Sequence, residues 1–229
     1  LFGYDLKDYE ALFDEKLELL QLANESTKVN WQGQLTQTIS GKEVYPRPVQ
    51  DKLPLWVATG GHVESTVKIA RAGLSIVYAI IGGNPRYFKK LIQAYREIGR
   101  DAGHADKDLK VGAHSWGWIA EDGEQAVKDY FHPTKQVVDA ISKDRPHWQE
   151  LTYEQYLEQV GPNGAMFVGN PDQVAEKLIR MIEDLDLDRF MLHLPLGSMP
   201  HDQVLRAIEL FGTQVAPKVR AYFAMKEGL

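Results

Sequence analysis

Three times in succession a short run of apolar, strand-forming residues ends at a glycine-rich turn and gives way to a helical pattern. Pro54 to Thr59 is closed by Gly60-Gly61, and helical periodicity then runs from Glu64 to Ala72 and stops at Gly73. Leu74 to Ile81 ends at Gly82-Gly83, after which Asn84-Pro85 supplies an N-cap and a first-turn proline for a helix reaching about Ala102. Leu109 to Ala120 ends near Asp122-Gly123 and is followed by a helix from about Glu124 to Ser142. A fourth unit reads differently: Asn170-Pro171 caps a helix to about Leu185, Arg189 to Leu196 is a strand, and a last helix spans about His201 to Ala224. Strands of continuous rather than alternating hydrophobicity, separated by helices, predict an α/β fold with a parallel sheet covered by helices. An open doubly wound sheet and half of a (β/α)8 barrel fit this pattern equally well.

The segments outside these units are less regular. A helical pattern runs from after Asp5 to about Leu22, with Leu12, Phe13, Leu17, Leu19 and Leu20 as its apolar surface. Residues 24–53 carry Trp31-Gln32-Gly33, Ser40-Gly41 and Tyr45-Pro46-Arg47-Pro48, which read as an irregular surface excursion with short extended pieces. Residues 143–168 break the rhythm again with Arg145-Pro146-His147-Trp148, a short amphipathic piece around Tyr153 to Val160, and Gly161-Pro162-Asn163-Gly164. They are read as an insertion or a lid. The chain begins at Leu1 in the lead-in to a helix, and this start favours the half barrel, truncated at its N-terminus, as one incomplete domain over 1–229.

Composition narrows the class of function. A chain of 229 residues with 44% hydrophobic content can bury the core of one ordinary domain or part of a larger barrel. Its net charge of -6, without a cluster of Lys and Arg, argues against nucleic acid as a partner. No apolar run approaches the roughly 20 residues of a membrane-spanning helix, so no membrane partner is expected. The absence of cysteine removes disulfides, thiolate nucleophiles and thiolate metal ligands, and fits a cytoplasmic location. No spacing of His, Asp and Glu suggests a metal.

Several strings resemble the bacterial-luciferase-like, flavin-dependent monooxygenases. Tyr45-Pro46-Arg47-Pro48-Val49-Gln50 followed by Pro54-Leu55-Trp56-Val57-Ala58-Thr59-Gly60-Gly61 is similar to the approach to that family's fifth barrel strand and to the strand itself. Ala79-Ile80-Ile81-Gly82-Gly83-Asn84-Pro85-Arg86-Tyr87-Phe88 resembles the sixth strand and the start of its helix. Gly169 to Lys177 resembles the helix before the last strand, and Ile208 to Pro217 the last helix. The resemblance covers nearly the whole chain and implies the C-terminal half of a (β/α)8 TIM barrel, with four further strands lying upstream in the family.

On that resemblance, Gly60 and Gly61 fall where the family holds the FMN phosphate. Backbone amides at a helix start favour an anion, and the His62 N–H with the Ser65 or Thr66 hydroxyl would donate to the phosphate oxygens. A plain βα turn is the competing reading. Ala79, Ile80, Gly82 and Gly83 end the next strand on the face where barrel enzymes build their sites, and their small or apolar character suits an isoalloxazine ring. His114, in the polar interruption Gly112-Ala113-His114-Ser115-Trp116-Gly117, is the candidate catalytic residue, because a neutral imidazole donates and accepts at once. Arg86 is read as a solvated helix residue, His193 as a packing residue, His201 as a cap-region residue, and the acidic run Glu183 to Asp188 as a solvated helix end.

The resemblance further implies reduced FMN as cofactor, and O2 with an aldehyde or other small organic compound as substrates. It also implies a separate flavin reductase as partner. The alternatives are an F420-dependent oxidoreductase and a non-catalytic flavin-binding protein. The 229-residue chain by itself is expected to bind flavin weakly, to be inactive, and to form a homo-oligomer through exposed strand edges.

Overall fold

The structure is a computed structural model that describes residues 3–145 and 148–228. Leu1 and Phe2 of the expected helix lead-in, and Pro146 and His147 of the expected insertion, lie outside the described residues. Where the sequence suggested a single domain, the chain forms two compact units that meet in sequence between Leu55 and Trp56.

In the first unit a short 3-10 turn, Leu6–Asp8, capped by the Asp5 carboxylate, leads into α1 (Tyr9–Glu25). The region read as an irregular excursion contains an antiparallel hairpin of β1 (Lys28–Trp31) and β2 (Ile39–Glu43). Two charged side chains organise it. The Glu15 carboxylate accepts the amides of Gln34, Leu35 and Thr36 at 3.0, 3.0 and 2.8 Å, together with the Thr36 hydroxyl. The Thr36 hydroxyl is the main cause, with the backbone amides after it, of a Glu15 pKa held down to about 2. The Arg47 guanidinium donates to the carbonyls of Ala23, Asn24 and Ser26 at 2.9, 2.7 and 3.3 Å. Those carbonyls are left without partners at the end of α1, so this arginine closes the helix.

The second unit is built on a parallel sheet. Its strands are β3 (Trp56–Thr59), β4 (Ser75–Ala79), β5 (Val111–Ile119), β6 (Phe167–Gly169) and β7 (Arg189–His193). β3 pairs with β4 and β4 with β5, while the other edge of β5 carries β7 along residues 112–116 and β6 along 117–119. The sheet is open among the described residues: no pairing joins β3 to β7. The three-residue β6 went unread because Phe167-Val168-Gly169 is too short an apolar run to stand out from the preceding turns.

Helices α2 (Val63–Arg71), α3 (Lys89–Asp101) and α6 (Pro171–Leu185) follow their strands or precede the last one, as the glycine and N-cap signals predicted. The Asn84 side chain accepts the Arg86 amide, and Asn170 forms a reciprocal capping box with Gln173. A long α4 (Gly123–Asp144) and a short α5 (Tyr153–Val160) separate β5 from β6. The last predicted helix is α7 (His201–Leu210) and α8 (Ala216–Glu227), joined by a π-helical turn at Phe211–Val215.

Side chains alternate across the sheet. Val57, Thr59, Ile76, Tyr78, Ala113 and Ser115 are buried on the face that meets the helices, with the Tyr78 hydroxyl 3.2 Å from the Thr66 hydroxyl of α2. The opposite face carries Trp56, Val77, Ala79, Gly112, His114, Trp116, Met191 and His193. The acidic run after α6 is tied in rather than solvated. Asp184 pairs with Arg86 at 2.9 Å, Asp186 pairs with Arg96, and Asp188 accepts the Val111 amide at 2.8 Å and sets the start of β5 beside β7.

Gly117 marks where β5 passes from β7 to β6. A Cβ there would lie 2.4 Å from the Phe167 carbonyl oxygen and 2.6 Å from Leu192 Cδ1, so only glycine lets both strands approach. Gly117→Ala is expected to cost about 1–3 kcal/mol by forcing backbone apart in a packed core. A lowered urea midpoint would show it, and an unchanged midpoint would mean that β6 yields freely.

Candidate functional site

Because the strands are parallel, their C-terminal ends share one rim, and Gly60-Gly61, Gly82-Gly83, His114 and His193 all lie at or near it. Open α/β sheets and barrels place their ligands on this rim, where loops are free to vary and helix N-termini point inward.

The β3–α2 turn is the better-formed half. Gly60 is exposed, with no heavy atom within 4 Å of a Cβ built upon it. Gly61 has φ +101°, and a Cβ would come 2.8 Å from the Phe88 ring, which stands edge-on to Tyr78 at 5.6 Å. Its glycine is thus required by local packing whether or not a ligand is bound. His62 is the N-cap of α2 with extended backbone and no side-chain cap, and the first intrahelical bond is donated by Thr66 N to His62 O at 3.1 Å. The amides of Val63, Glu64 and Ser65 precede that bond and point outward, which is the donor set an anion needs. Glu64 in the same turn opposes an anion electrostatically, so the amides and the Ser65 hydroxyl must outweigh it.

Two of the predicted residues are corrected. Thr66 is 1% exposed, and its hydroxyl donates to His62 O at 3.0 Å and contacts the Tyr78 hydroxyl, so it is engaged in the core and cannot reach a phosphate. Ile80 is fully buried and offers no surface to a flavin ring; its amide donates to His114 O at 2.8 Å and its carbonyl accepts the Ser115 hydroxyl at 2.9 Å. Ala79 is half-buried on the His114 side of the sheet, and Gly82 and Gly83 are exposed with open space around them, Gly83 at φ +75°.

His114 sits level with Ala79 on β4 and Met191 on β7. His193 ends β7 opposite Trp116, and its ring centroid lies 5.6 Å from that of His114, at 35°. His114 is half-buried and His193 exposed, and neither imidazole makes a hydrogen bond among the described residues. Burial first, and then the neighbouring His193, hold the His114 pKa below its ordinary value. The Trp148 ring, from the segment expected to be a lid, lies 6.4 Å from the ring of Trp116. That segment is anchored on α4: Leu151 N donates to Asp139 at 2.9 Å and Lys135 Nζ to Leu151 O at 3.0 Å. The Tyr156 hydroxyl reaches Val127 O at 2.8 Å.

The family model for luciferase-like monooxygenases matches residues 1–188. The chain belongs to that family. Among solved structures, the monooxygenase RslO1 from Streptomyces bottropensis superposes with a TM-score of 0.77 at 20% identity, covering 94% of this chain and 63% of that one. An F420-dependent secondary alcohol dehydrogenase, solved with an F420–acetone adduct, gives 0.69 at 15% identity, covering 96% and 65%. An uncharacterised protein, y4vJ of Sinorhizobium fredii, is 21% identical over 236 residues, covering 99% of this chain and 66% of the relative. The chain therefore spans about two thirds of the length of these relatives. At such identities the solved structures establish the fold, a partial luciferase-like barrel whose parallel sheet does not close among the described residues. The matched region ends at Asp188, so β7 and His193 lie beyond it.

The sequence pointed to His114 through its polar interruption of an apolar strand, but it gave His193 no comparable signal, since pairing the two rings needs the register of β5 against β7. The depressed pKa of His114 has a definite sign. The unfolded chain takes the proton first, so protonation opposes folding, and the loss of stability sets in as pH falls below about 6.5 toward the lower folded value. An NMR titration is expected to place the His114 midpoint below 6.5 and to move it upward in His193→Ala. A midpoint at or above 6.5 would contradict the burial described here.

Proposed function

We propose that the protein is a flavin-dependent monooxygenase that uses reduced FMN and O2 to oxidise a small organic substrate, with an aldehyde as one candidate and a separate reductase supplying the reduced flavin. The observation that carries this reading is the open amide set of Val63, Glu64 and Ser65 behind an unobstructed Gly60, on the same rim as the small residues of the β4 end and the two imidazoles. Reduced FMN would supply electrons to O2 and pass an oxygen atom to the substrate. Membership of a monooxygenase family favours this over hydride transfer by F420.

This chain's residues do the holding. The α2 amides and the Ser65 hydroxyl bind the phosphate, with His62 N–H at the edge of the turn. Ala79, Gly82 and Gly83 leave a low wall against which a flat ring packs. His114 donates or accepts a hydrogen bond at the reacting end, and its burial keeps it neutral at physiological pH. Within the 143–168 segment, the described stretch from Trp148 to Thr152 acts as the lid that keeps water from the reacting atoms. The remaining strands that complete a barrel in the family would close the pocket. We place the protein in the cytoplasm as a homo-oligomer, and no helix among the described residues is long and apolar enough to cross a membrane.

The test is to titrate the full-length protein with FMN and with F420 and to follow O2 uptake with reduced FMN and decanal. FMN binding with substrate-stimulated O2 uptake is expected; tight F420 binding without FMN binding would overturn the assignment. Ser65→Ala should weaken FMN by about tenfold, the worth of one hydrogen bond to a charged group. Thr66→Val should leave FMN affinity unchanged while lowering stability, because its hydroxyl serves the core.

A further inference from the structure

The turn between β3 and α2 is supported by a residue of the next strand–helix unit. Gly61 has φ +101°, in the left-handed region, and glycine has the most conformational freedom to lose when a turn is ordered. Something must fix it if the amides behind it are to point one way. Gly60 has no heavy atom within 4 Å of a Cβ built upon it and gives no support. The turn's own unit supplies two holds: the Gly61 amide donates to the Thr59 hydroxyl at 3.3 Å, a long hydrogen bond, and the Thr66 hydroxyl donates to His62 O at 3.0 Å from within the helix.

Phe88 supplies a third. Its ring edge lies against Gly61, with Cε1 2.8 Å and Cζ 3.4 Å from the position of a Cβ there. The ring stands in turn against Tyr78 of β4, centroids 5.6 Å apart at 61°. Tyr78 is fully buried, and its hydroxyl lies 3.2 Å from the Thr66 hydroxyl of α2. Gly61 thus rests on Phe88, Phe88 on Tyr78, and Tyr78 returns to α2 at Thr66, a closed circuit around the turn.

The place of Phe88 is itself set locally. Asn84 caps the 3-10 turn Pro85–Phe88 by accepting the Arg86 amide at 3.0 Å, Pro85 restricts its first dihedral, and Phe88 has φ −77° and ψ −14°. That turn follows Gly82-Gly83 directly, so one ring ties the phosphate turn to the wall proposed for the flavin.

We propose that Phe88 is the positioning residue of the phosphate site: by holding Gly61 it keeps the Val63, Glu64 and Ser65 amides in the geometry that receives the flavin phosphate. The inference rests on the reading of the α2 N-terminus as that site and names the residue that preorganises it. Donors already in place bind a charged oxygen without a further loss of backbone freedom. A looser turn must be ordered by the ligand, so removing the ring weakens phosphate binding and leaves the rest of the flavin unaffected. FMN and riboflavin differ by the phosphate alone, and their comparison isolates the effect.

The experiment measures FMN and riboflavin binding to the full-length protein by quenching of flavin fluorescence, with hydrogen exchange over residues 60–66 of the ligand-free protein as a second readout. The wild-type protein is expected to prefer FMN by about a hundredfold, from two or more hydrogen bonds to a charged group. Phe88→Leu should weaken FMN about tenfold, leave riboflavin unchanged and speed exchange in the turn. Phe88→Met gives the same comparison if the leucine variant does not fold. Ile69→Val, which removes a buried methyl from the same helix, is the stability control: it should lower Tm and keep the FMN preference. An unchanged preference or unchanged exchange in the Phe88 variants would overturn the proposal, and so would an equal loss of preference in Ile69→Val. The two readings fail separately. Wild-type protein that binds riboflavin as tightly as FMN removes the phosphate site and this inference with it; a wild-type preference that survives in the Phe88 variants removes this inference alone.

Discussion

The second unit depends on β5. This strand is hydrogen-bonded along one edge to β4 and along the other first to β7 and then to β6, so it fixes the register of those three strands at the rim, and β3 follows through β4. Two glycines allow it. Gly112 lies where a Cβ would be 3.3 Å from both Trp56 and Val77, and Gly117 where one would collide with β6. Asp188 sets the start of the strand by accepting the Val111 amide, and the Ser115 hydroxyl joins its middle to the end of β4 through the Ile80 carbonyl. A strand held at so many points is a stiff support, and stiffness is what a site made of alternating side chains requires.

From that support the chemistry follows by alternation. The face toward the helices takes Ala113, Ser115 and the buried Tyr78–Thr66 pair, whose phenol is pushed up to about 12 by burial. The other face takes His114 and Trp116. Polar groups on the helix side are thus satisfied by one another, whereas on the open side His114 is half-buried and His193 exposed, and neither imidazole bonds to the protein among the described residues. The buried Lys177 shows the contrasting case: its ammonium donates to the carbonyls of Val160, Gly161 and Met166 at 2.9, 2.6 and 2.6 Å. It is fully occupied in holding the turn before β6, so its place in the fold is structural.

Much of the architecture was legible because it rests on local signals. Asn84-Pro85 and Asn170-Pro171 announce helix starts by chemistry that acts within four residues, and both are found capped as read. The β3, β4 and β5 runs are apolar throughout because both faces of a parallel strand are covered or lined. What escaped was short or long-range. The hairpin of β1 and β2 is polar and is fixed from outside by Glu15 and Arg47, which belong to no pattern that periodicity detects. The Asp184, Asp186 and Asp188 carboxylates looked like a solvated helix end because their partners, Arg86, Arg96 and the Val111 amide, are some 80 to 100 residues distant in sequence.

The candidate site divides along the same line. The sequence by itself determined the parallel α/β plan, the family, and a glycine-rich turn before α2, because strand hydrophobicity, caps and turn glycines are properties of neighbouring residues. Only the tertiary structure decided which side chains face the rim. It turned Thr66 and Ile80 into the core, since a residue's direction is set by the helix face or strand register it occupies. It also brought His193 to His114, residues 79 apart, by aligning β7 with β5, and Trp148 to Trp116 by the path of the chain after α4, and neither depends on what lies beside them in the chain.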